Sequence, residues 1–175
     1  MFDKPYEFKY LNSTTTQGEL FEKRHFLSFR SHTKHRYIVE VEEYAHDFYA
    51  IKYYLKANAH SDNRYNMLTN LKQATRVIRT CIEIMLYFID KKNPWASFIF
   101  IGAQLQEEST KNTKRFRVYK MIMENFFSPT EFDHYLHEEN SIYIILNKLK
   151  IEDAPNALKH MEKMAVEYYN IEGKE

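Results

Sequence analysis

Three glycines in 175 residues is the feature that most narrows what this chain can fold into. Average usage of about 7% would supply roughly a dozen. Glycine is the residue that takes left-handed backbone, or lets a backbone close on a phosphate, without steric cost. A chain this poor in it therefore excludes glycine-dependent phosphate loops. In their place stand 14 Tyr and 13 Phe, side chains that suit strands and core faces and can also line a recognition surface.

Other bounds follow from length and cysteine use. At 21.3 kDa, with four separated prolines and no repeat, low-complexity tract or linker, the chain is expected to form one domain over residues 1–175. Cys81 is the single cysteine, so no intrachain disulfide is available. It lies in a stretch that reads as buried helix, which fits an inert thiol in a reducing, cytoplasmic setting. The N-terminal stretch mixes Asp3, Lys4 and Lys9 among aromatics and lacks the apolar core of a secretory signal. The longest strongly apolar run, "CIEIMLYFI", holds Glu83 and is too short to span a bilayer, so no membrane partner is expected. Net charge is +1, from 25 basic and 24 acidic residues. That balance argues against a general nucleic-acid binder, and any basic site must be local.

Periodicity supplies an α+β fold. "YEFKYL" and "RHFLSFRS" carry alternating aromatics and read as strands. "RYIVEVEEY" sets Tyr37, Val39 and Val41 on one face and Ile38, Glu40 and Glu42 on the other, a strand with one solvated side. A turn near Ala45 and His46 then joins it to "DFYAIKYYLKA" in an antiparallel hairpin. After the polar loop "NAHSDNRYN", Asn70 and Gln73 form a capping pair for a helix reaching about residue 91. Its apolar stripe runs through Leu71, Ala74, Ile78, Cys81, Met85 and Phe88, and it should be long, central and largely buried. "PWASFIFIGA" reads as a strand buried on both faces, a second helix spans about Asn112 to Phe127, and "SIYIILNK" gives another strand. Asp153 opens a final helix, and the whole makes a mixed, mainly antiparallel sheet with flanking helices.

The helix that opens at "NTKRFRVYK" holds the chemistry of most interest. Phe116, Tyr119, Met123 and Phe127 share its apolar face, while Lys114 and Arg117 project to solvent and Arg115 and Lys120 flank the stripe. Lys111, Lys114, Arg115 and Arg117 crowd a helix start, where the dipole favours Asp or Glu. Either Glu107 and Glu108 compensate them, or the helix start holds an anion. Lys72, Arg76 and Arg79 form a second basic stripe opposite the apolar side of the preceding helix, with Arg79 and Glu83 also spaced for an ordinary ion pair.

The order of elements over about residues 24 to 147, together with Asn112 opening a late helix and Tyr119 seven positions on, resembles the GNAT acetyltransferase superfamily. The succession "TNLKQATRVIRT" to "KRFRVY" also resembles small bacterial and phage proteins of no assigned function. The GNAT resemblance implies a catalytic role for Asn112 and Tyr119, the tyrosine as general acid for a departing CoA thiolate, and CoA as the cofactor if any is used. The glycine-bearing loop that cradles CoA pyrophosphate in that superfamily has no counterpart in "RYNMLTNLKQA". The expected function is therefore binding of an anionic ligand or partner, such as nucleic acid, nucleotide or an acidic protein surface, on a GNAT-like scaffold. A diverged N-acyltransferase and a protein-interaction subunit or homodimer are the alternatives.

No metal motif emerges: His32 with His35, and His134 with His137, lack the HExxH or Cys-paired spacing that makes such sites specific. Cys81 sits on a buried stripe, where a thiolate is disfavoured. Glu40, Glu42, Asp47 and Lys52 have the composition of a nuclease cluster, but strand alternation alone does not bring them to one place.

Overall fold

The structure, a computed structural model, describes residues 4–17, 21–66, 73–103, 108–149 and 154–169. The chain divides into two compact units, Met1–Pro94 and Trp95–Glu175.

In the first unit, β1 (Phe8–Thr15), β2 (Lys23–Arg30), β3 (Arg36–Tyr44) and β4 (Phe48–Leu55) pair in sequence as an antiparallel meander. The β3–β4 hairpin matches the sequence expectation, and its tight corner places His46 and Asp47 at φ of 63° and 59°. Glycine would take this backbone freely; here Asp47 Oδ1 instead accepts a hydrogen bond from the Asn93 side chain at 2.9 Å. Edge strand β1 carries a register shift between Tyr10 and Asn12, which leaves Leu11 as the extra, exposed residue. Helix α1 (Ala74–Lys91) buries Val77, Ile78, Cys81, Ile82, Met85 and Phe88. Phe88 meets His25 at 5.0 Å and Tyr49 at 5.5 Å between ring centroids, so α1 flanks one face of the meander. Gln73 is its N-cap without a side-chain cap bond, and Asn70 and Leu71 lie outside the described residues.

The second unit contains β5 (Ser97–Ile101), α2 (Lys114–Ile122), β6 (Phe132–His137), β7 (Ile142–Asn147) and α3 (Ala154–Tyr169). Its strand order is β5-β7-β6, antiparallel throughout. Strand β6 has no counterpart in the sequence expectation, in which this stretch carries only the pair His134 and His137. It pairs with β7 through a turn that ends on Ser141 at φ 52°. Every strand pair described within either unit is antiparallel, in keeping with the mainly antiparallel sheet expected. The fold is α+β.

Two expectations change. The helix read from Asn112 to Phe127 is shorter: α2 starts at Lys114, and Met123–Asn125 continues as a tighter 3₁₀ turn. The face of β3 read as solvated is closed, because Glu40 is 3% and Glu42 0% exposed.

Candidate functional site

The start of α2 is built by three segments. Thr113 is the N-cap: its Oγ1 accepts from the Phe116 N–H at 3.3 Å and donates to the Gly102 carbonyl at 2.9 Å, just past β5. The Thr113 N–H in turn donates to Ser141 Oγ at 2.8 Å. Gly102 lies so close that a Cβ there would stand 2.8 Å from Phe116 Cβ and 2.9 Å from its N. Here one of the rare glycines serves a close approach of helix to strand end. Asn112, expected as the opening residue of the helix, instead sits one position before the cap at φ 49°. Its N–H donates to the Glu138 carbonyl at 2.8 Å, and its Oδ1 is buried with no hydrogen-bond partner among the described residues.

The cations arrange themselves around this knot. Lys111 pairs with Glu139, Lys120 pairs with Glu138, and Arg117 donates to the Asn112 carbonyl at 2.7 Å. The Lys120 ammonium holds the Glu138 carboxyl below its usual range. Glu108 Oε1 accepts the Lys114 backbone N–H at 2.7 Å, so a carboxylate of the chain already occupies the helix start. Glu107 lies outside the described residues. Lys111, Lys114 and Arg117 are exposed, and Arg115 is half-buried. Tyr119 is 7% exposed, with its ring 5.3 Å from that of Phe100 on β5.

The second basic stripe divides. Arg79 pairs with Glu83 at 2.6 Å, Arg76 stacks over the Tyr6 ring at 4.0 Å, and Lys72 lies outside the described residues.

The closed face of the first unit holds a charge network that sequence alternation could not assemble. Glu42 Oε1 accepts from Arg24 and Lys52, each at 2.9 Å, and its Oε2 accepts from the Tyr44 hydroxyl at 2.8 Å. Glu40 Oε2 accepts from the Tyr65 hydroxyl at 2.6 Å, with Arg24 Nε at 3.8 Å. Register explains the meeting: Arg24 lies opposite Glu42 on one neighbouring strand and Lys52 opposite Glu40 on the other. Burial lowers the Lys52 pKa even against the pull of Glu42 and Glu40, and burial with the Glu40 charge raises that of Tyr65. Arg64 joins Arg24 and Lys52, its guanidinium donating to the Tyr65 hydroxyl at 3.1 Å, so the two carboxylates are set among three cations. Asp47 stands apart, bonded to Asn93. Among the described residues no group of three or more His, Cys, Asp or Glu is placed to hold a metal ion. Among the described residues no helix is long and apolar enough to cross a membrane.

Comparison with protein-family models, curated proteins and solved structures finds no match.

Proposed function

We propose that the chain binds an anionic partner through the side-chain cations around the opening of α2. The observation that carries this reading is the Glu108 carboxylate seated on the Lys114 N–H, beside exposed Lys111, Lys114 and Arg117. The helix start already accepts a carboxylate, and a phosphate or carboxylate of a partner replaces like with like. The mode differs from the one expected from sequence. Thr113 keeps the Phe116 N–H, so a partner that displaces Glu108 meets the Lys114 N–H and otherwise the lysine and arginine side chains. The lock between Gly102, Thr113 and Ser141 fixes the backbone that presents them.

The test is fluorescence anisotropy with two labelled probes, a single-stranded oligonucleotide and poly-glutamate. The variant Lys114→Ala/Arg117→Ala should lose most of the affinity, and Glu108→Gln should bind more tightly because a resident competitor is gone. Equal affinity for all three proteins contradicts the proposal. The preferred probe separates a nucleic-acid partner from an acidic protein surface.

A diverged acyl-CoA-dependent acyltransferase on a GNAT-like scaffold is a second reading. It is favoured by the buried Asn112 Oδ1, which has no hydrogen-bond partner among the described residues, and by the succession of meander, helix, strand and helix. Thermal shift with CoA and acetyl-CoA decides it, since ligand at 100 times its Kd stabilises by about 2.7 kcal/mol. No shift at millimolar ligand removes the acyltransferase reading.

A further inference from the structure

Three neighbouring strands of the first unit bring Tyr10 (β1), His25 (β2) and Glu43 (β3) into one hydrogen-bonded line. The Tyr10 hydroxyl lies 2.9 Å from His25 Nδ1, and His25 Nε2 lies 2.9 Å from Glu43 Oε2. Proton placement follows from the chemistry of the groups. An ionised carboxylate can only accept, so His25 Nε2 donates to it, and a neutral imidazole then has its bare nitrogen at Nδ1, facing the phenol. The Tyr10 hydroxyl must donate. This is the carboxylate–imidazole–hydroxyl order of an activated nucleophile, with a phenol as the hydroxyl.

A second Tyr–His pair in the same protein shows what distinguishes this one. His134 Nδ1 lies 2.8 Å from the Tyr143 hydroxyl, but its Nε2 donates to the Phe127 carbonyl at 2.8 Å, and Tyr143 is 1% exposed. A carbonyl orients an imidazole; a carboxylate also stabilises the imidazolium that forms when the ring takes a proton. Tyr10, in contrast, is half-buried on an edge strand. The Lys92 ammonium stands 4.5 Å from its ring centroid, and Lys23 is the other cation acting on His25. His25 is 3% exposed, edge-on to Phe88 of α1. Burial holds its pKa below the ordinary value, which keeps the base unprotonated at neutral pH. The charged and titratable groups around it are thus Tyr10, Lys23, Glu43 and Lys92.

We propose that Tyr10 is a nucleophile for phosphoryl transfer from an activated phosphate ester, with His25 as its base and Glu43 as a positioning residue. Lys92 and Lys23 favour an anionic electrophile over a neutral acyl group. In the step, Tyr10 Oη forms a bond to phosphorus as the bond from phosphorus to the leaving oxygen breaks. The phenolic proton passes to His25 Nδ1, and the leaving oxygen departs with the electron pair and takes up that proton. The products are an O-phosphoryl tyrosine and an alcohol or phenol. This inference is independent of the anion site at α2.

The full chain is incubated with bis(p-nitrophenyl) phosphate while p-nitrophenolate release is followed, and the adduct is mapped by peptide mass spectrometry. The expected result is one equivalent of p-nitrophenolate and one adduct, on Tyr10. His25→Asn should slow labelling roughly a hundredfold. Glu43→Gln should slow it about tenfold and move the rising limb of its pH–rate profile, a readout that a merely structural role leaves unchanged. Should His25→Asn fail to fold, Glu43→Gln carries the test, since Glu43 keeps a 31% exposed side chain. Tyr10→Phe should give no adduct, and Tyr143→Phe should label like the parent protein. The proposal is overturned by no adduct on Tyr10, by equal labelling of surface tyrosines, by a rate indifferent to Glu43→Gln, or by acetylation of Tyr10 with p-nitrophenyl acetate without phosphoryl transfer.

Discussion

Glu42 has no exposed surface, yet it accepts from two cations and a phenol. Burying it is tolerable only because all of these are present: removing one member of a buried charge group leaves the rest uncompensated. Glu42→Gln should cost about 3 kcal/mol, the low end of the usual range because Arg24 and Lys52 keep some solvent contact. In urea denaturation the double variant Glu42→Gln/Lys52→Met should cost less than the sum of its parts, and strict additivity would count against the network. Alternation along "RYIVEVEEY" placed Glu40 and Glu42 on one face correctly. It could not reveal that Arg24, Lys52 and Tyr65 close that face, because those partners come from other strands and a loop. Tyr143 offers a pH test of the same kind: burial first, and then the Glu124 charge, push its pKa up to about 12. A raised pKa means stability that is complete below the unfolded value near 10 and is lost as pH rises through about 12. Tyr143→Phe should remove roughly 2 to 3 kcal/mol of that alkaline loss, read as the difference between two urea midpoint curves.

The helices and strands differ in how plainly the sequence announces them. The stripe of α1 is legible from Ile78 to Phe88 because the inward positions are apolar except for Thr80. The start of α2 was misjudged by two residues, since Asn112 takes left-handed backbone and the cap function passes to Thr113. Strand β6 was missed for a physical reason: Phe132 is its one buried residue, and its pairing with β7 depends on a turn of Glu138–Asn140 without glycine. The packing at the α2 start yields a firm expectation. Gly102→Ala should lower stability by about 1 to 3 kcal/mol, because the new Cβ meets backbone and Cβ atoms of Phe116, which cannot swing aside. Thr113→Ala should cost about 1 to 2 kcal/mol for its lost cap and its lost bond to Gly102. Thermal melts of both check this, and an unchanged midpoint for Gly102→Ala would contradict the geometry.

For the molecule as a whole, near-neutral charge makes local arrangement decisive. With a net charge of +1, the chain has little net field to draw a polyanion, so the proposed binding rests on the few cations around α2. The sequence located that basic cluster and expected its two fates, compensation or ligand. It could not show that the compensating carboxylates Glu108, Glu138 and Glu139 come from three separate contacts. The salt dependence of oligonucleotide binding tests the central claim most directly, because each phosphate contact by a lysine or arginine adds about 1 to the slope of log K against log salt. The account predicts a slope for Lys114→Ala/Arg117→Ala that is shallower by about two, with weaker binding at every salt concentration. Identical slopes and affinities for the two proteins would contradict it.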